Sequence, residues 1–225
     1  MFSETFMKLW ENHILQMGVW ETIYMTLLST VVAYIIGLPL GLVLCVTDKD
    51  GICPNRFINK TLSVIVNAFR SIPFIILMVA MLPVANFIVG TSLGNSAMVV
   101  MLIIAAAPYV ARMTESSIKE VDAGVIEAAK AMGTPSFKIV TKVLIPEAKP
   151  SLIVGAVIST VTILGYSAMA STIGGGGLGQ IAIVWGHQRS NSDIIWICVA
   201  LTIIIVQIIQ EIGMYIARKV DKRQR

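Results

Sequence analysis

The sequence predicts an all-α integral membrane protein with about five transmembrane helices. Of the 225 residues, 56% are hydrophobic and only 13% are charged, whereas about 25% of the residues of a soluble domain are charged. The mean hydropathy is +0.82, and the apolar residues fall in long blocks, as lipid-facing helices require. Strands of a membrane β-barrel are about half as long and alternate polar with apolar residues. The blocks do not alternate, so helices are expected.

Five apolar blocks mark the predicted spans. Each holds roughly the 20 apolar residues that a spanning helix needs, the third only just. Ahead of them, residues 1–17 form a short amphipathic lead-in without the positive start, apolar centre and cleavage site of a signal peptide. A transmembrane domain is expected over 18–217, followed by a basic tail at 218–225. The predicted spans are 19–46, 62–89, 96–112, 152–173 and 194–217, and a long loop at 113–150 separates the third span from the fourth.

Glycines and prolines interrupt the first two blocks. Gly37, Pro39 and Gly41 lie in the first block, and Pro73 and Pro83 lie in the second. Helix-breaking residues are tolerated in a membrane where neighbouring helices satisfy the freed backbone groups. These residues therefore indicate helices that pack in a bundle.

The distribution of lysine and arginine predicts the orientation of the chain. Most of the 17 basic residues lie in the loop after the first block, in the loop at 113–150 and in the tail. With five spans these regions share one side of the membrane, which the positive-inside rule assigns to the cytoplasm. The N-terminus is therefore expected outside and the C-terminus inside. Arg70, within the second block, is either a functional charge or a side chain that snorkels to the interface.

Neither a metal site nor a nucleic-acid site is expected. The net charge is +4, but the basic residues lie in short loops between apolar blocks rather than on one basic surface. Cys45, Cys53 and Cys198 form no C-x-x-C pair, and His13 and His187 lie far apart. We therefore expect no metal, no cofactor and no nucleic-acid partner.

The long loop predicts two short helices on the cytoplasmic face. Good helix formers fill 125–132, and the segment 133–135 then breaks the chain. Proline favours the first position of a helix, so a second helix can begin there, and we expect it to run to Leu144 and to end before Pro146. A compact helix-turn-helix between two spans is a natural docking surface for a soluble partner.

The loop contains Glu127-Ala128-Ala129, then Gly133, and it ends on Ile145-Pro146. This pattern resembles the EAA loop of ABC importer permeases, which ends on Leu-Pro, so the isoleucine is a conservative departure. The resemblance implies the type I ABC importer permease fold, in which the loop forms coupling helices that sit in a groove of the ATP-hydrolysing subunit. The residues that it assigns to this coupling are Glu127, Ala128, Ala129, Gly133 and Pro146.

Other segments extend the resemblance from Gly18 to about Ala217. One is similar to amino-acid importer permeases in general, and three resemble methionine-importer permeases in particular. The resemblance implies a five-span homodimer in the cytoplasmic membrane that pairs with two ATPase subunits and receives methionine from an extracytoplasmic binding protein. The general segment is Phe69–Phe74, and the three particular ones are Gly18–Thr22, Gly165–Met169 and Gly174–Gln180.

The glycine run at Gly174–Gln180 also matches G-x-G-x-x-G, but without the context of a nucleotide site. Such a site follows a strand in an α/β unit, and here a predicted span precedes the run. No P-loop lysine is present. We expect the glycines to shape a tight turn near the outer mouth. The chain is therefore expected not to be an enzyme and to have no catalytic residue, with ATP hydrolysis in a partner subunit.

Tyr166, Ser167 and Met169 are the predicted lining of the translocation path. They combine small, polar and polarizable apolar groups in the fourth block. A thioether can contact a second thioether and close a narrow path, so Met169 of each copy could form a gate near the symmetry axis. Ordinary helix packing is the alternative explanation for all three.

Two other functions are compatible with a protein of this kind. One is an ABC permease for another amino acid or small solute, although a polar solute favours more charged groups than the fourth block supplies. The other is an ion-coupled secondary transporter or channel. Such proteins often carry acidic residues in mid-span and internal repeats, and this sequence contains neither.

Overall fold

The computed structural model describes residues 2–221, and all regular structure in that part of the chain is helical. The predicted all-α fold is therefore confirmed. Residues 222–225 of the predicted basic tail lie outside the described residues. The α-helices are α1 (Phe2–Glu11), α2 (Ile14–Val46), α3 (Arg56–Ser71), α4 (Phe74–Ala80), α5 (Leu82–Val89), α6 (Asn95–Lys119), α7 (Ala123–Ala131), α8 (Ser136–Ile139), α9 (Ile145–Ala170), α10 (Leu178–Gln180) and α11 (Ser192–Val220).

Four helical segments of the described chain are long and apolar enough to cross a membrane. They are Ile14–Val46, Asn95–Lys119, Ser136–Ile173 and Ser192–Val220. A further candidate is the pair α3 and α4, which pass the same test of length and composition together and meet at a bend of 103°. With that pair counted as one span, residues 2–221 contain five candidate spans, the number that the sequence predicts.

The bend between α3 and α4 lies at Pro73. This residue has φ −54° and ψ 133°, which is an extended conformation. A proline lacks the N–H that continues a helix, and it disfavours the helical conformation for the residue before it. α3 therefore ends at Ser71, whose hydroxyl donates to the carbonyl oxygen of Ala68 at 2.8 Å. The second predicted block is thus three helices, because Met81 also separates α4 from α5.

The second helix of the long loop does not end before Pro146, and that prediction is wrong. α8, a π-helical turn and α9 form one helical segment that continues to Ile173. In the π-helical turn, which spans Val140–Leu144, the N–H of Ile145 donates to the carbonyl of Val140. This wider turn relieves the clash that a proline ring otherwise makes with the carbonyl one turn earlier. The chain can therefore pass through the proline without leaving the helix.

The chain divides into two compact units, each with an apolar core. Unit 1 comprises Met1–Val32, Ile72–Ala106 and Thr160–Ile209, and unit 2 comprises Ala33–Ser71, Ala107–Ser159 and Gln210–Arg225. The core of unit 1 includes Leu9, Leu15, Leu164, Leu178, Ile181, Ile194, Ile197, Cys198 and Ile205. The core of unit 2 includes one cluster of Ile118, Val121, Val140, Leu144 and Ala148, and another of Leu44, Val66 and Ala111.

Two glycines of α2 allow a close approach to α6 within unit 2. A Cβ on Gly37 would lie 2.8 Å from the carbonyl oxygen of Ala107. A Cβ on Gly41 would collide with the carbonyl oxygen of Ala111 and would lie 2.6 Å from the Cβ of Thr114. Small residues let membrane helices pack backbone to backbone, so both glycines are required for the contact.

Gly41→Ala is expected to destabilise the protein by about 1–3 kcal/mol, because the added methyl group has to push two helix backbones apart. Gly155→Ala, in α9 of the same unit, is the matched control, since its Cβ would lie 3.4 Å from the hydroxyl oxygen of Ser117. Thermal unfolding of the purified protein in detergent measures both variants. Equal midpoints for the two would contradict the close packing at Gly41.

Candidate functional site

The loop between α6 and α8 contains a capped helix followed by a tight turn. The carboxylate of Asp122, the N-cap of α7, accepts a hydrogen bond from the N–H of Gly124 at 2.7 Å, as aspartate commonly does at this position. After α7, Gly133 has a φ of +71°, a left-handed conformation that glycine adopts at little cost. Its N–H donates to the carbonyl of Lys130 at 2.9 Å. The break predicted at 133–135 is therefore present.

The turn presents an exposed surface that is partly apolar. Glu127 and Ala128 of α7 are exposed, whereas Ala129 is buried. Met132 and Phe137, one on each side of the turn, are both 78% exposed. Large apolar side chains that stay uncovered among charged residues, as here beside Lys130 and Lys138, favour an interaction surface. We call residues 127–137 the loop tip.

Phe137 was not predicted as a site residue. Its signal in the sequence is a large apolar side chain directly after Pro135-Ser136, in a loop whose other exposed residues are mostly small or charged. Such a signal becomes informative only when burial is known, because an aromatic residue in a short helix is more often part of a core.

An apolar cluster in unit 2 holds α7 against the base of α9. Ile126 of α7 packs on the cluster that contains Val121, Val140 and Leu144. Ala129, on the same side of α7, is 3% exposed. The buried side of α7 thus fixes the direction in which Glu127 and Ala128 point. The loop tip is therefore mounted on the helical segment that continues into the fourth span.

Pro146 does not lie in the loop tip. The other four predicted coupling residues share α7 and its turn, whereas Pro146 is an exposed residue of α9. It lines a groove of about 480 Å³ together with Val125 and Lys142. Pro146 therefore affects the course of α9 more directly than it affects the surface of the loop tip.

A buried carboxylate ties α6 to the loop that follows α2. Glu115 is 7% exposed and pairs with Arg112 and with Lys119, the latter at 2.8 Å. Lys119 also donates to Asp48 at 2.6 Å, and this hydrogen bond is the largest cause of the lowered pKa of the Asp48 carboxyl. A buried charge is tolerated only when it is paired, so the four side chains form one connected network between α6 and the loop after α2.

The three predicted path residues have different environments in unit 1. Tyr166 is half-buried and stacks on Phe74, with ring centroids 4.5 Å apart and planes inclined by 6°. Ser167 is buried, and its hydroxyl donates to the carbonyl of Leu164 at 2.7 Å. Met169 is 50% exposed. The three side chains therefore do not line one surface, and Met169 is the most accessible of them.

The glycine run forms a tight turn whose backbone N–H groups are already occupied. The N–H of Gly176 donates to Asn95 at 2.8 Å, and that of Gly177 to the carboxylate of Glu21 at 2.7 Å. The N–H of Leu178 donates to the hydroxyl of Thr22 at 2.9 Å. A phosphate cradle needs such N–H groups free, so this turn is a joint between helices of unit 1. Glu21 and Thr22 had been noted only for their resemblance, and their role in holding this turn was not predicted.

The sequence of the chain is similar to those of known transport proteins. The family model described as "Binding-protein-dependent transport system inner membrane component" matches residues 37–225. The chain is 45% identical over 212 residues, 94% of each chain, to the probable D-methionine transport system permease protein MetI of Vibrio cholerae. It is 46% identical over 180 residues to the methionine import system permease protein MetP of Bacillus subtilis, covering 80% of this chain and 81% of that one.

The fold agrees with the same group of proteins. A solved structure described as an inward-facing conformation of the MetNI methionine ABC transporter matches with a TM-score of 0.91 and 46% identity, over 92% of this chain and 96% of that one. The matched family model covers well over half of the sequence. The chain therefore belongs to the family of binding-protein-dependent transport system inner membrane components.

Proposed function

We propose that this chain is the membrane-spanning permease subunit of an ATP-driven importer that moves methionine across the cytoplasmic membrane. The observation that carries the proposal is the similarity to permeases of methionine transporters over nearly the whole chain, in sequence and in fold. The subunit is not an enzyme, and a separate ATPase supplies the energy.

In the assembly, two copies of the chain form the path, two ATPase subunits bind on the cytoplasmic side, and a methionine-binding protein binds on the outer side. The N-terminus lies outside and the C-terminus inside. The support for this orientation is the concentration of lysine and arginine in residues 49–60, 112–149 and 218–225 of the sequence, since basic segments beside the spans stay in the cytoplasm.

The loop tip docks in a groove of the ATPase and couples its closure to the spans. Glu127 and Ala128 contribute exposed contacts, and Met132 and Phe137 contribute apolar anchors. The left-handed turn at Gly133 sets their relative direction. Because the tip leads without interruption into the 38-residue helical segment 136–173, a displacement of the tip can be transmitted along that helix.

Met169 closes the translocation path together with Met169 of the second copy. Its half-exposed side chain is available for contact beyond its own chain, and a flexible thioether can plug an irregular gap. Tyr166 lines the path beside it, held in orientation by the stacking on Phe74. Ser167 supports the path from behind, because its buried hydroxyl bonds to its own helix.

Gly133→Val is expected to reduce association with the ATPase, because a β-branched residue in the left-handed region costs about 1–2 kcal/mol and reshapes the tip. Gly90→Val is the matched control: Gly90 has a φ of +76°, and a Cβ on either glycine would meet nothing within 4 Å. Co-purification of the ATPase with the tagged permease measures both variants. Loss of the ATPase from both, or from neither, would contradict a docking role for this turn.

Phe137→Ala is expected to weaken ATPase binding by roughly 30-fold, since an aromatic anchor at the centre of an interface typically contributes about 2 kcal/mol or more. Phe57→Ala is the control, because Phe57 is 80% exposed and lies on α3, away from the loop tip in the sequence. Titration of the detergent-solubilised permease with the ATPase gives both affinities. An unchanged affinity for Phe137→Ala would mean that the anchor lies elsewhere.

Proteoliposomes that contain the permease with its ATPase are expected to take up labelled methionine only when ATP and the binding protein are both supplied. Gly133→Val is the internal control and should lower uptake in proportion to the ATPase that it loses. A complex that assembles and hydrolyses ATP but moves a different amino acid would correct the substrate. Uptake that follows an ion gradient without the ATPase would overturn the importer function.

A further inference from the structure

The helix α3 has three sides of different character. Its inner side packs within unit 2, where Val66 is 2% exposed and shares an apolar cluster with Leu44 of α2 and Ala111 of α6. A second side is apolar and exposed, as contact with lipid requires. The members of this second side are Phe57, Ile58, Val64 and Ile65.

The third side of α3 is polar along its whole length. Its residues recur at helical spacing, and we call them the polar stripe: Arg56, Asn59, Lys60, Ser63, Asn67 and Arg70. All but the half-buried Asn59 and Ser63 are exposed. Among the side chains that the structure describes, the three cations of the stripe form no ion pair. The described part of the chain therefore leaves the three cations of this side uncovered.

Lipid cannot cover the polar stripe either. The 16 residues of α3 extend about 24 Å, close to the hydrocarbon thickness of about 30 Å. Long cationic side chains can reach the interface by snorkelling, but Ser63 and Asn67 are too short to do so. Asn67 accepts a hydrogen bond from Arg112 at 3.0 Å, which adds another charge to this side. A polar surface of this length inside a bilayer requires water or polar groups opposite it.

A helix with one polar side can also lie flat on a membrane surface, but α3 packs alongside a span. The side-chain amide of Asn59 donates to the carbonyl of Leu44 in α2 at 2.7 Å. Further along α3, Leu62 and Val66 join the cluster that contains Leu40 and Leu44. α3 thus runs antiparallel beside a helix of 33 residues that is apolar enough to cross the bilayer.

A groove opens along the N-terminal half of the polar stripe. Its volume is about 830 Å³, and its lining includes Asn59, Lys60, Ser63 and Asn67. The groove is large enough for many water molecules, each of which occupies about 30 Å³ in the liquid. The stripe therefore has an accessible space in front of it at the cytoplasmic end of α3.

Resting on the function proposed above, we propose that the polar stripe of α3 lines the water-filled path by which methionine leaves toward the cytoplasm, between the two copies of the permease. α3 contains no aspartate or glutamate. Its charges are all positive, and a pore lined by positive groups disfavours the entry of cations. The stripe thus suits a zwitterionic amino acid and limits the leak of sodium ions and protons while the path is open to the cytoplasm.

Single cysteines in the complete permease–ATPase complex test this inference. The complex is placed in inverted membrane vesicles, whose cytoplasmic side faces the medium, after the three native cysteines have been replaced by alanine. Ser63→Cys and Asn67→Cys report on the polar stripe. Ile65→Cys is the matched control, because it lies between them along α3 but on the apolar side. The probe is a membrane-impermeant methanethiosulfonate that carries a sulfonate.

The cysteines of the stripe are expected to react roughly tenfold or more faster than Ile65→Cys, because water carries the reagent to them and lipid does not. Their modification is also expected to stop the ATP-driven release into the medium of labelled methionine that is enclosed with the binding protein in the vesicle lumen, while the ATPase stays bound. Equal rates at all three positions, no reaction at either stripe position, or labelling that leaves the release of methionine intact would each overturn the inference. The last outcome is the one expected of a helix that lies on the membrane surface.

The reaction rates separate this inference from the proposed function. If the wild-type complex moves no methionine, the proposed substrate is wrong, and the order of the three rates still decides whether the stripe faces water. Ser63→Cys changes one atom, so it keeps the test valid if Asn67→Cys, which loses the hydrogen bond from Arg112, fails to assemble.

Discussion

Hydrocarbon offers no hydrogen bonds, so every backbone N–H or C=O that a broken helix releases must be satisfied by the protein itself. The turn at 174–178 meets this requirement with side chains from two other helices of unit 1. Asn95, Glu21 and Thr22 take its three consecutive N–H groups. A run of glycines that would otherwise bind an anion becomes a rigid joint. These three polar residues of otherwise apolar helices thus satisfy a break in the backbone, and the oxygen atoms that accept these hydrogen bonds are not free for a ligand.

Proline has two opposite effects in this chain, and the difference lies in the backbone before it. At Pro73 the chain leaves the helix, so that α3 and α4 meet at 103°. At Pro146 a π-helical turn widens the preceding backbone, and the helix continues. Pro150 is also accommodated inside α9. The first arrangement separates two short helices, and the second connects the loop tip to the fourth span without a hinge. A coupling element that transmits displacement needs this continuity.

The spans and the break after α7 could be predicted from the sequence because both depend on local chemistry. Apolar length decides whether a segment can cross a bilayer, and α7 ends where Gly133 adopts a left-handed conformation two residues before Pro135. The sides of the helices could not be predicted in this way. Ser167 and Met169 are two residues apart in α9, yet one is buried and the other is half exposed. Which of them faces outward depends on the neighbours of the helix, as does the exposure of Phe137.

The second block shows most clearly why composition was insufficient. It was predicted to begin at 62 because the basic residues before it were assigned to a loop, yet α3 begins at Arg56 and carries these residues into the helix. Mean hydropathy averages over all sides of a helix. Polar residues therefore lower the mean hydropathy equally whether they lie on one side of the helix or are scattered around it. α2 is apolar enough to be covered by lipid and protein alone. α3 packs beside α2 and carries a polar side that neither lipid nor α2 can cover. The composition of α3 is therefore explained by contact between this polar side and water.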